Sequence, residues 1–222
     1  MGEPLKLERS ISFSIMLNDL INLTHSHEFE EYGTLDLTGV RVEGNVLTLS
    51  LNLNTGGDSD AYQSWEVECV DFLEQALSLG QCEGFELQFD HVLLWSYVQP
   101  EASVTFYGEA DDYLAVVGAL YDRHLELVGN WIPFGRFMNG NTVEMIRGRF
   151  GMLADGPMPL VESYSQVLES FNIGTKIAEP KPAYYTNDEL SGLAEVAVLI
   201  LKKGCHVVAP KFTERRLGEA DI

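Results

Sequence analysis

Leu47-Thr48-Leu49-Ser50-Leu51-Asn52-Leu53-Asn54 sets a leucine at every second position with a small polar residue between. A period of two sends alternate side chains to opposite faces, so the stretch predicts a β-strand with one dry and one wet face. Upstream, Leu35 and Leu37 are followed by Val40 and Val42, and the alternation slips by one residue at Gly39. A single inserted residue that shifts the phase is the signature of a β-bulge. Gly44-Asn45 between the two runs suits a two-residue type II′ turn, because glycine tolerates the positive φ at the first turn position. These features predict a hairpin over residues 34–54.

Trp65-Glu66-Val67-Glu68-Cys69-Val70 alternates as a strand, and Val70–Leu77 suits either strand or helix. Phe85, Leu87 and Phe89 open another alternating run, expected to extend to about Tyr97. Gln99-Pro100-Glu101 should turn the chain and Val104 and Phe106 return it. A second hairpin is expected over 195–210, where Val196–Leu201 and Cys205–Ala209 flank Lys203-Gly204. Its first strand is apolar on both faces, which predicts a central or helix-covered position. Two helices are expected, at about 111–128 and 159–172. Asp111 and Asp112 favour the start of the first, Gly129 stops it, and Leu114, Val117, Tyr121, Leu125 and Val128 would form its apolar face. The second begins near Pro157 or Pro159, carries Leu160, Tyr164, Val167, Leu168 and Phe171, and ends at Gly174. Residues 178–192 read as a connecting loop. Strands in hairpin order with helices inserted late predict an α+β fold. Its large, mostly antiparallel sheet would carry the two helices on one face, with 1–222 as a single domain.

Charge is the most unusual property. The chain holds 34 acids and 14 bases, a net of −20. Residues 31–130 hold 18 of the acids against only Arg41 and Arg123, whereas residues 131–222 are nearly balanced. Nucleic-acid binding needs clustered bases that displace counterions, and an anionic membrane surface needs the same, so both are excluded as expectations. The longest aliphatic run, Val196–Leu201, falls far short of the roughly 20 residues that span a bilayer. At the start of the chain Lys6 and Arg9 are offset by Glu3 and Glu8, unlike a secretory signal. Cys69, Cys82 and Cys205 form no C-x-x-C pair, which fits reduced thiols and a cytoplasmic location.

Three stretches carry candidate chemistry. His25-Ser26-His27-Glu28-Phe29-Glu30-Glu31 offers metal-ligand side chains; on a strand, His25 and His27 would share a face, and Glu31 could add a carboxylate. The spacing resembles the first cupin motif, H-x-H-x(3,4)-E, over these seven residues. The motif's leading glycine is Asp19 here, its downstream glycine is displaced to Gly39, and Met138 stands where a third histidine ligand would fall. Asn54–Asp60 supplies oxygens of the kind calcium takes, without the glutamate that closes an EF-hand loop. Gly129–Gly156 sets Trp131, Phe134 and Phe137 beside Arg136, Arg147 and Arg149. Guanidinium forks could grip an anion while the rings hold an apolar body; equally, the rings could fill a core and the arginines pair with acids. No G-x-S-x-G elbow is present, Cys205 and His206 would face opposite ways on a strand, and His124 reads as a satisfied histidine at the edge of a helix stripe.

These features predict a non-enzymatic, acidic binding or interaction protein that uses a curved sheet surface or shallow cavity. It would have no cofactor and a basic protein or a small molecule as partner, with association between copies also open. Two alternatives remain at this level: a metal-dependent enzyme with a divalent ion on His25, His27 and Glu31, and a binder of small anionic or aromatic ligands with a pocket near 131–149.

Overall fold

A computed structural model describes residues 17–56, 62–183, 185 and 196–220. Residues 57–60 of the candidate calcium loop, most of 184–192 and the start of the second hairpin at Glu195 lie outside the described residues. In chain order the first elements are α1 (Asn18–Thr24), α2 (His27–Tyr32), β1 (Thr34–Glu43), β2 (Val46–Asn54), β3 (Tyr62–Val70), β4 (Glu74–Ala76), β5 (Gly80–Gln81) and β6 (Glu86–Gln88). There follow α3 (Trp95–Val98), β7 (Glu101–Tyr107), α4 (Tyr113–Val128), α5 (Thr142–Arg147), β8 (Phe150–Pro157), α6 (Met158–Ser170) and β9 (Gly174–Ile177). The last strands are β10 (Ala197–Lys202), β11 (Cys205–Ala209) and β12 (Lys211–Ala220). The fold is α+β, with the antiparallel strands distributed over three sheets. Among the described residues no helix is long and apolar enough to cross a membrane.

Contacts gather the described residues into two compact units, 17–87 with 199–220 and 88–183 with 196–198. In the first, one sheet has the order β12-β3-β2-β1-β5 and another the order β4-β11-β10-β6. Three segments pass from one sheet to the other: β3 into β4 through Asp71–Leu73, β11 into β12 through Pro210, and β5 into β6 through Cys82–Phe85. The Cys82 amide donates to Leu35 O on β1, and the Glu83 and Gly84 amides donate to Leu201 O on β10. Followed neighbour by neighbour, six strand segments therefore return to their start as a closed antiparallel ring, which leaves few unpaired edges.

The leucine run lies where its alternation places it. Leu47, Leu49, Leu51 and Leu53 on β2 are buried. Residues directly opposite share a face, so Leu37–Leu51–Trp65, Leu49–Val67–Glu214 and Leu47–Cys69–Phe212 form inward rows across the strands. The register shifts between Leu37 and Gly39, which places the bulge where the phase slips. Gly44 has φ +62° whereas Asn45 has no positive φ, as a type II′ turn requires. The second hairpin also forms, as β10 and β11, with β10 central between β11 and β6.

In the second unit, the three-stranded sheet β8-β7-β9 packs one face on α6, and α6 packs on α4. Asp112 caps α4 by accepting from the Leu114 and Ala115 amides, and Gly129 ends it with φ +57°. Two expectations change here. The strand expected to run to Tyr97 stops at Gln88, and Val92–Val98 is helical. The His91 ring accepts from the Leu93 amide, and this helical turn buries Leu93 and Leu94 side by side. The buried side of α4 is Val116, Leu120, His124 and Val128, rotated away from the stripe through Leu114, Tyr121 and Leu125. A buried histidine inverts the expected pattern, because its two ring nitrogens are satisfied inside: Nδ1 by the Tyr164 hydroxyl at 2.7 Å and Nε2 by Ile132 O at 2.7 Å.

Candidate functional site

A cleft of about 820 Å³ lies in the first unit between the α1–α2 segment and the strand-to-strand passage 81–86. One wall starts at α1, where Leu17 and Leu20 are fully buried and the Thr24 hydroxyl donates to Leu20 O. His25 ends α1, Ser26 caps α2 by accepting from the Phe29 amide, and Gly33 turns the chain into β1. A side chain at Gly33 could not fit: its Cβ would lie 2.1 Å from the Phe29 ring. Glycine is therefore needed here for room, so that Phe29 can lie along the wall.

The opposite wall is held by the backbone bonds of Cys82, Glu83 and Gly84. Phe85 is fully buried and the Cys82 thiol nearly so, with burial pushing its pKa up to about 11. Phe29, Leu35 and Phe85 give the cleft an apolar floor, while His25, Glu30, Glu83 and Glu86 stand exposed at its rim. Lys202 reaches the same wall by donating to Gln81 O at 3.2 Å, without lining the cleft. A shallower hollow of about 520 Å³ lies on the outer side of β1 and β2, lined by Asp36, Thr38, Asn52, Tyr62 and Leu79.

The histidine cluster falls at this cleft in a different geometry from the expected strand. His25 closes one helix and His27 opens the next, so the shared face that would let both imidazoles hold one ion is absent. His27 Nε2 lies 3.8 Å from Glu31 Oε1 one helical turn away, with both side chains exposed. Among the described residues no group of three or more His, Cys, Asp or Glu side chains is placed to hold a metal ion.

The arginine–aromatic stretch does not converge on a hollow described above. Trp131 stands edge-on to His91 at 4.7 Å, and the half-buried Phe134 is edge-on to the buried His124 and Tyr164 and to the exposed Tyr121. Phe137 lies against Gly156, where a Cβ would come within 2.7 Å of its ring, and Arg136 sits over the Phe137 ring. Arg147 pairs with Glu144 at 3.2 Å and covers the Tyr113 ring, and Arg149 pairs with Glu109.

Sequence reasoning missed Phe29, Glu30, Cys82, Glu83, Phe85 and Glu86 as one site. The spacing of Leu17, Leu20 and Thr24, followed by Ser26 as a cap, was the available signal for the two short helices. Nothing local marked 82–86, which becomes a wall only when the ring closes. The chain matches no family model, no curated protein and no solved structure.

Proposed function

We propose that the protein is a non-enzymatic binding protein whose cleft receives a cationic group of a basic partner. One observation carries the reading: an apolar floor of Phe29, Leu35 and Phe85 lies beneath Glu30, Glu83 and Glu86, with no lysine or arginine among the lining residues. Lysine and arginine pair an apolar stem with a charged head, so the floor would take the stem and the carboxylates the head. The excess of acids over residues 31–130 would steer such a partner towards the protein and make association sensitive to salt. Three buried free thiols accord with a reducing, cytoplasmic setting.

The test is calorimetric titration of the full chain with a short arginine-rich peptide at low and high salt. Glu30→Gln and Glu83→Gln should each weaken binding several-fold, on the order of 1 kcal/mol per charge pair, and flatten its salt dependence. Binding that survives both substitutions and high salt unchanged would remove the cleft as the site.

A further inference from the structure

We propose that the outward side of α4, in the second unit, is a docking surface for a cationic amphipathic segment of a protein partner. Leu114 is 60% and Tyr121 46% exposed, and their spacing of seven places them two turns apart on one side of the helix. Gly118 lies between them, and a Cβ there would meet nothing within 4 Å. The result is a saddle with backbone at its base and a large apolar side chain on either side, a shape that admits one apolar side chain of a partner.

The charge around the saddle selects the partner. Asp122 is exposed beside Tyr121 and, among the described residues, makes no ion pair; Asp111 is exposed at the head of the helix. The one arginine of α4, Arg123, is turned aside to Ser163 Oγ at 2.6 Å and to Glu126 at 3.0 Å. The helix therefore offers carboxylates and apolar flanks on this side, and its one arginine is already engaged elsewhere. A segment with lysine or arginine on the border of an apolar stripe complements it, and a helix presenting such side chains at i, i+4 and i+7 matches its spacing. An anionic lipid surface carries the wrong sign.

The probe is a fluorescent amphipathic peptide of leucine and lysine, about fourteen residues long so that it can form a helix, compared with its leucine–glutamate counterpart. Anisotropy is read on the full chain. The leucine–lysine peptide should bind and the leucine–glutamate peptide should not. Gly118→Leu fills the saddle from a position with open space and raises helix propensity, so the fold is retained while affinity falls about tenfold. Tyr121→Ser should produce a similar loss, and Asp122→Asn a smaller one with a shallower salt dependence. Glu83→Gln, in the cleft of the first unit, should leave this binding unchanged. The inference is overturned if the leucine–lysine peptide does not bind, if the acidic peptide binds equally, or if the α4 variants bind as the native chain does. Loss in Glu83→Gln alone would assign the peptide to the cleft and likewise overturn it.

Discussion

The Glu214 carboxylate accepts a hydrogen bond from the Leu20 amide at 3.0 Å, joining two residues 194 positions apart, and takes a second from the Asp19 amide at 2.8 Å. Glu214 lies in the inward row with Leu49 and Val67, where an acid would otherwise face apolar neighbours. The free amides at the start of α1 satisfy it, and the helix dipole favours its charge.

Those bonds do not fully offset burial, which raises the Glu214 pKa with a further contribution from the nearby Asp19 charge. The native state therefore holds this proton more readily than the unfolded chain does. Its stabilising contribution is complete below the unfolded pKa of about 4.3 and is lost as pH rises through the higher native value. Urea unfolding of the native chain and Glu214→Gln should show their stability difference moving against the native chain as pH rises from about 4. A difference that is flat with pH, or that slopes the other way, rules this out.

His124 and Tyr164 form a closed polar contact inside the second unit. Ile132 O can only accept, so His124 Nε2 donates to it, and Nδ1 shares a hydrogen bond with the Tyr164 hydroxyl. Tyr164→Phe leaves a buried nitrogen unsatisfied and should cost about 1–3 kcal/mol in chemical denaturation. A loss below about 0.5 kcal/mol would show that the nitrogen finds another partner.

Two glycines should respond in opposite directions to alanine. Gly118 is interior to α4 with open space around it, so Gly118→Ala should stabilise by about 0.5–1 kcal/mol. A Cβ at Gly156 would come within 2.7 Å of the Phe137 ring, so Gly156→Ala should destabilise by about 1–3 kcal/mol. Thermal unfolding of the two variants checks both signs.

The three thiols should be unreactive in the native state. Burial pushes Cys69 up to about 12 and Cys82 up to about 11, so thiolate is scarce below those values, and Cys205 is equally enclosed. A thiol reagent at neutral pH should label all three only after denaturant is added. Rapid labelling of Cys82 in the folded protein would mean that the cleft wall opens.

Much of the fold was legible where one local rule acted alone. The leucine alternation, the bulge at Gly39, the turn at Gly44 and the caps at Asp112 and Gly129 each follow from the steric and hydrogen-bonding preferences of the residues concerned. Legibility failed where two rules competed. On α4 the apolar count favours the stripe through Leu114 and Tyr121, yet the helix buries His124, because a carbonyl and a hydroxyl from other elements satisfy it. The histidine pair was legible as chemistry but not as geometry, since two short helices replaced the expected strand.

The α+β class, the two hairpins, the two main helices and the concentration of acid in residues 31–130 follow from local sequence alone. Periodicity, turn chemistry and composition are properties of neighbouring residues, and no tertiary contact is needed to read them. The tertiary structure alone decided that six strand segments close into a ring, that Glu214 is consumed by α1, and that Glu30 meets Glu83 and Glu86 across one cleft. Those relations join residues tens to hundreds of positions apart, and their energy exists only once the intervening chain has folded.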